Sequence, residues 1–501
     1  FPKDGQPAEA PWRLALVTVM QFVENLSDRQ AVDAVRGRLD WKYLLGLELT
    51  DAGFDASVLS EFRARLIDQH AEERLLEKML ALFQQKGWLK ARGRQRTDST
   101  HVLAKIRALN RVLCVWETMR AALNSLAVAA PDWLCAHSYP EWVERYGSRS
   151  EDSRCPVGEA ERLAFAEEIG QQGRELLDAL FDPTAPEWLH QIPAVEILRK
   201  VWVQNYQRID DVVRWRSSEQ IPPPSRYLGS PYDEEAHYSK KRSTTWVGYK
   251  VHVTESCEAH LPLLITHVET TSAPVSDDAM TATIHAELDR KELLPNEHIV
   301  DTGYVDAKLL VESQRDYQID LVGPTRKNYR WQATQKTGFD AANFPIDWEK
   351  QATCPEGHTS INWTPVRDKW NNEIIQIRFS TKECQVCPSR SLCTQSSRHL
   401  RRTVSIRPRE QYLALMQRRE QEQTKEFTQL YAKRAGVEGT ISQGVRMMGL
   451  RCSRYIGQER THLQHVATAA ALNLVRSMAW VQGVPRAQTR LSAFARLYNV
   501  A

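Results

Sequence analysis

The chain has 501 residues, 42% of them hydrophobic, with 66 Lys and Arg against 63 Asp and Glu. That length fits about three domains with real cores, which excludes a disordered chain, and the near balance of charge excludes a uniformly basic nucleic-acid binder. No apolar stretch approaches the roughly 20 residues that cross a bilayer and no secretory signal opens the chain, so a soluble cytoplasmic protein with no membrane partner is expected. The odd count of nine cysteines fits a reducing compartment rather than a disulfide framework. The chain opens with Phe1 rather than Met and runs straight into a helical pattern, so a preceding amino-terminal piece is expected.

Residues 1–90 read as a helical domain. "LSDRQAVDAVRGRLDWKYLLGL" begins with Ser27-x-x-Gln30, a capping-box pattern, and "DASVLSEFRARL" follows a Gly-containing turn. Two short helices and a turn suit a DNA groove or a dimer interface, and equally any helical bundle. Residues 86–107 then hold seven Lys or Arg against the single Asp98. "RQRTDSTHVLA" reads as a short strand ending near Asp98, before a helix that Ser99 or Thr100 caps. Alone, Asp98 is as readily a salt-bridged structural residue as an active acid.

Residues 104–242 read as a helical insertion, with amphipathic runs such as "AKIRALNRVLCVWETMRAALNSL". The texture changes at residue 243, where "STTWVGYKVHVTES" and "LPLLITHVETTSA" predict an antiparallel hairpin. A helix follows ("VSDDAMTATIHAELDR"), then "EHIVDTGYVD" as a buried strand ending at Asp301, another helix, and "IDLVGP" as a last strand. Residues 91–103 and 243–325 thus supply about five strands of one mixed α/β sheet. Residues 326–425 interrupt it with Trp, Cys and basic residues, and residues 426–501 return to helix.

Acids at strand ends have room for ligands, and Asp98 and Asp301 are both placed there. Glu438 is the third acid. Tyr431 and Arg434 precede it by seven and four residues, which puts all three on one helical face; an ordinary solvated face with an Arg–Glu pair gives the same pattern. The insertion carries Cys354-Pro-Glu-Gly-His358, then Cys384-x2-Cys387-x5-Cys393. Soft ligands at this spacing suit one structural Zn²⁺, with the choice between Cys354 and His358 left open. Cys114, Cys135, Cys155, Cys257 and Cys452 read as packing residues. Tryptophans 331, 348, 363 and 370 cluster in the same insertion, and residues 398–419 hold seven Arg against the single Glu410.

"TDSTHV", "VDTGY" and "YAKRAGVEGTISQG", in that order and with a Cys-rich insertion before the last, resemble bacterial insertion-sequence transposases of the Asp-Asp-Glu (DDE) class, closest to the insertion-sequence-1182 type. The resemblance runs across nearly the whole chain. It implies an RNase H-like catalytic core with Asp98, Asp301 and Glu438 as its triad, in a bacterial, nucleoid-associated protein. The related pattern Tyr-x2-Arg-x3-Glu-x6-Lys matches at Tyr431, Arg434 and Glu438, but Val445 stands at the Lys position and Arg446 follows it, about 80° around the helix from Glu438. DNA contacts are expected from Tyr431, Arg434, Arg446, Arg326 and Lys327, with Trp331 in "RKNYRWQ" as a wedge against an unstacked base or as a core residue.

Three carboxylates suit a pair of Mg²⁺ (or Mn²⁺) ions, because in-line displacement at a phosphodiester must activate one oxygen and neutralise another. The implied partners are double-stranded DNA, as terminal inverted repeats and as target, and a second copy of the chain on that DNA. Two rivals share parts of this reading: an RNase H-like nuclease that cuts without joining, and an inactive DNA-binding regulatory remnant.

Overall fold

The computed structural model describes residues 9–106, 109–150, 155–335 and 338–486, so Phe1 lies outside it. Five helices open the described chain: α1 (Pro11–Val23), α2 (Asp28–Gly37), α3 (Leu39–Leu45), α4 (Ala56–Asp68) and α5 (Arg74–Gln85). The Ser27 capping box closes both ways: Gln30 N–H donates to Ser27 Oγ at 3.3 Å and Ser27 N–H to Gln30 Oε1 at 2.9 Å. Val17, Val32, Trp41 and Leu59 make a small core among α1–α4, while Phe22 of α1 and Leu76 and Leu80 of α5 pack into the central one.

The first strand departs from the sequence reading. β1 (Arg94–Leu103) runs straight through Ser99 and Thr100, which cap no helix, and the next helix begins eleven residues after Thr100, behind an Asn110 cap. The reason is a ladder from Gln95 to Leu103 against a strand some 150 residues later; its backbone bonds outweigh local capping chemistry. The insertion follows with α6 (Arg111–Ala129), α7 (Pro131–His137), α8 (Pro140–Tyr146), α9 (Glu159–Leu180) and α10 (Pro193–Asn205). It closes, where helix was expected, in a small hairpin of β2 (Tyr206–Ile209) and β3 (Val212–Trp215). Among the described residues α6 is long and apolar enough to cross a bilayer, at 19 residues and a mean hydropathy of 1.2. That corrects the expectation that no stretch reaches this length, yet Leu113, Met119 and Leu126 of α6 are buried in the insertion's own core.

The central sheet resumes at β4 (His237–Lys241), before the expected change at residue 243, and continues as β5 (Thr244–Ser256) and β6 (Ile265–Ser272). Then come α11 (Asp278–Arg290), β7 (Glu297–Ile299), α12 (Ala307–Tyr317) and β8 (Asp320–Val322). The order is β4-β5-β1-β7-β8, with β6 also on β5. β1 is antiparallel to β5 and parallel to β7, so this is a mixed six-stranded sheet in an α/β fold.

A second module follows: α13 (Trp331–Thr334), β9 (Ile346–Asp347), β10 (Gln351–Ala352), β11 (Asn362–Arg367), β12 (Glu373–Arg378), α14 (Thr381–Val386), α15 (Arg390–Cys393) and β13 (Thr403–Ile406). β11, β12 and β13 form a three-stranded sheet, and Phe344, Ile377, Phe379 and Val404 give the module its own core. Four helices end the described chain: α16 (Arg409–Gln421), α17 (Lys425–Ala432), α18 (Ala435–Met448) and α19 (Gln458–Val481). Tyr431 and Glu438 therefore do not share one helix; the chain turns at Lys433 and Arg434 between α17 and α18.

Candidate active site

Register builds the site. Arg94, Gln95 and Arg96 of β1 lie beside Glu297, His298 and Ile299 of β7. Continued two residues past the ladder, the same register brings Asp98 alongside Asp301, at the carboxyl edge of the two parallel strands, where neighbouring strands stand about 4.8 Å apart. Asp98 is thus in the middle of its own strand but beyond the end of its neighbour, which does for it what a strand end would. Side chains alternate along β1, so Arg96, Asp98 and Thr100 share one face and Thr97 and Ser99 the other.

Asp301 caps a tight turn at Thr302–Tyr304, accepting the Gly303 N–H at 2.7 Å. A Cβ at Gly303 would stand 2.8 Å from Asp301 Oδ1 and 3.1 Å from Asp277 Oδ2; glycine leaves the room that lets both carboxylates close on the turn. The third acid arrives on α18. Arg434 donates from one terminal nitrogen to Asp98 Oδ2 at 2.8 Å and from the other to Glu438 Oε1 at 2.7 Å, so one guanidinium bridges two of the predicted acids. Burial, then the neighbouring Asp98 and Asp277 carboxylates, raise the Asp301 pKa above the usual carboxylate range. Burial pulls the Arg434 pKa down, but Asp98, Tyr431 and Glu438 together raise it.

Sequence reasoning missed Asp277. Just ahead of α11, it accepts Lys250 Nζ at 3.0 Å and Ser99 Oγ at 3.2 Å, with Lys241 Nζ 3.9 Å away. Burial pushes the Asp277 carboxyl up, and Lys250 with its other cationic neighbours outweighs burial and holds it below the ordinary value. In "SDDAM" it looks like any acid at a helix start, and no local signal separates it from Asp278.

The expected DNA contacts divide. Arg326 and Lys327 line a basic cleft of about 240 Å³ with Arg330, Arg407 and Arg419, which shares Arg326, Arg407 and Arg419 with a groove of about 730 Å³ that reaches Ser276 and Asp278 beside the acids. Trp331 is partly buried and packs over Gly338, which fits a core residue rather than a wedge. Trp370 is 71% exposed at the tip of the β11–β12 hairpin and lines the larger groove. Tyr431 stacks on Phe427 and packs against Ile299 and Val322 beneath Asp301. Val445 packs on the central core, while Arg446 is exposed and bonds only the Ser442 carbonyl of its own helix, at 3.3 Å, among the described residues.

In the second module Cys354, Cys384, Cys387 and Cys393 line one small cavity with His358, Arg390 and Arg402. The His358 N–H donates to Cys354 Sγ at 3.3 Å across a turn with Gly357 at φ +83°. Arg390 Nε and Arg402 Nε are buried without an acceptor. Burial, opposed by the Arg402 cation and aided by the other three thiols, pushes the Cys393 thiol up to about 11. All nine cysteines are free, and Cys135 and Cys452 are exposed, which corrects their reading as packing residues. Among the described residues no three His, Cys, Asp or Glu side chains are closed into a metal-holding group; at the catalytic edge the Arg434 cation occupies the space between two of the acids.

An acid cluster at the carboxyl edge of a mixed sheet, opening on a cation-lined groove, defines an α/β protein equipped to meet a polyanion. Residues 353–478 match the family described as Transposase DDE domain, and residues 1–65 match the family described as Transposase domain (DUF772). Together these matches indicate an insertion-sequence DDE transposase. The first match takes in Glu438 and the four clustered cysteines; Asp98 and Asp301 fall outside both. Among curated proteins none matches the chain.

Proposed function

We propose that the protein binds the terminal inverted repeats of its insertion sequence, cleaves at the element ends and joins the freed 3′-hydroxyl to target DNA. The observation that carries this reading is that Asp98 lies beside Asp301 at one sheet edge and is bridged by Arg434 to Glu438, from three distant parts of the chain, near a basic groove. Residues 91–103, 243–325 and 426–501 would form an RNase H-like core, residues 1–90 a DNA-binding or dimerisation domain, and residues 104–242 and 326–425 its insertions. A dimer on DNA follows from the two ends of each element.

The donor set fits hard divalent cations. Burial and then the crowding Asp98 raise the Asp301 pKa, and the Arg434 guanidinium joins Asp98 to Glu438 and already neutralises those two. Asp98, Asp301 and Glu438 would hold two Mg²⁺ or Mn²⁺, which when bound supply a Lewis-acid pair at the scissile phosphate. Arg434 would release its carboxylates and turn to a phosphate. Arg326, Lys327, Arg407 and Arg419 would hold the backbone in the groove, and the exposed Trp370, rather than Trp331, would stack on a base. In the second module the four thiols would hold one structural Zn²⁺, and the orphaned Arg390 and Arg402 Nε–H groups supply the donors that a thiolate cluster requires.

The test is cleavage and strand joining on labelled element ends with Mg²⁺. Asp98→Asn, Asp301→Asn and Glu438→Gln are each expected to abolish both steps while DNA binding survives, since Lys and Arg hold the backbone. Near-normal nicking by Asp98→Asn would leave that acid as a mere partner of Arg434 and end the three-acid reading.

A further inference from the structure

Behind the acids lies a second, wholly buried carboxylate that the chemistry above does not use. Glu255 of β5 stands directly across the ladder from Arg96 of β1, and its side chain is 0% exposed. Its Oε1 accepts Arg96 Nε at 2.7 Å, and a terminal nitrogen of Arg96 stands in ion-pair contact with it at 2.6 Å. Its Oε2 accepts Thr440 Oγ1 of α18 at 2.5 Å and Arg476 of α19 at 2.8 Å.

Both arginines reach on to α18. Arg96 donates to the Lys433 carbonyl at 2.5 Å, and its guanidinium lies so near Gly436 that a Cβ there would stand 2.1 Å away. Arg476 donates to Thr440 Oγ1 at 2.7 Å and to Gln443 Oε1 at 3.0 Å. Positions 436, 440 and 443 recur every three or four residues, so the network grips one stripe along the helix, with the Lys433 carbonyl held in the turn just before it. Glu438, two residues from both 436 and 440, projects from the opposite side, about 200° around.

Apolar burial of Val437 and Ile441 would hold α18 against the sheet but is non-directional, so it tolerates a small slide or rotation. A carboxylate forked between two guanidiniums and a hydroxyl does not, because hydrogen bonds weaken steeply off their preferred angles. Arg96 and Asp98 also stand two residues apart on one face of β1, so the residue that holds the back of α18 and the acid that meets its front are fixed by the same strand.

We infer that Glu255 is a positioning residue for Glu438: through Arg96, Thr440 and Arg476 it sets the rotation and height at which α18 presents that acid to Asp98 and Asp301. The inference rests on the three-acid reading. Its test is a Mg²⁺ titration of cleavage on a labelled duplex carrying the element's terminal sequence, with Glu255→Gln, Thr440→Val and Asp98→Asn compared. Glu255→Gln should lower kcat by about 100-fold, the scale of a displacement of about 1 Å at a reacting centre. It should also raise the Mg²⁺ needed for half-maximal rate and leave KM for DNA nearly unchanged. Thr440→Val should show the same pattern more weakly, and it carries the test alone if Glu255→Gln does not fold. A folded Glu255→Gln protein with normal kcat and Mg²⁺ dependence would overturn the inference, as would parallel losses of kcat and DNA binding. Normal cleavage by Asp98→Asn would instead overturn the reading beneath it.

Discussion

The acid edge and the thiol cavity are built in opposite ways. Asp98, Asp301 and Glu438 come from residues far apart in the chain, Asp98 and Asp301 brought together by strand register and Glu438 tied to Asp98 through Arg434; the four cysteines come from the turn at Cys354 and the short stretch of α14 and α15 within one module. At the acid edge negative charge is in excess: Asp98, Asp277, Asp301 and Glu438 face Arg434, Lys250 and Lys241, which offset only part of it. In the thiol cavity the excess is of donors, since two buried guanidinium Nε–H groups lack acceptors. The first arrangement is costly until a cation arrives, as a catalytic site is. The second is incomplete until thiolates form, as a structural metal site is.

Breaking the second site should have the largest effect on the fold and little on the chemistry. Cys387→Ser is expected to reduce the zinc content of freshly reduced protein from about one equivalent to near none and to open residues 338–406 to protease. Element-end cleavage per folded molecule should persist. Absence of zinc from the unmutated protein would remove the contrast altogether.

Arg434 tests the first site. Arg434→Ala should weaken binding to element ends and flatten the dependence of log K on log salt by about one ion, because one phosphate contact is lost. An unchanged slope would confine Arg434 to its ion pairs with Asp98 and Glu438.

The smallest expected effect is on stability. The Asp301 pKa is raised in the folded state, so its contribution is fully present below the unfolded value near 3.8 and is lost as pH rises through the folded one. At neutral pH without divalent metal the ionised carboxylate is therefore a burden. Asp301→Asn should raise Tm by about 2–4 °C under those conditions, on the scale of 1 kcal/mol for a domain of this kind, and the gain should shrink toward pH 4. Addition of Mg²⁺ should stabilise the unmutated protein and not the variant. A lower Tm for Asp301→Asn at neutral pH would show that Asp301 is already satisfied by its turn.

What the sequence determined by itself is local. The Ser27 capping box, the β5–β6 hairpin and the apolar run before Asp301 depend on spacing within a dozen residues, and each is present, although the strand expected to end at Asp301 stops at Ile299. The cysteine spacing likewise announced a soft-ligand cluster, though not that His358 would pair with Glu383 at 3.8 Å while Cys354 joins the other thiols at the cavity wall. Tertiary structure decided the rest. Asp98 sits mid-strand because β5 pairs along nine residues of β1, a partner that capping chemistry around Ser99 cannot reveal. Asp277, Lys250 and Glu255 carry no signature of their own, since an acid at a helix start or a charged residue in a strand has many uses. The roles of Lys250 and Glu255 come from register, since a slip of one residue in β5 would turn each to the opposite face of the sheet, and Asp277 gains its role only from the Lys250 and Ser99 that this register presents to it.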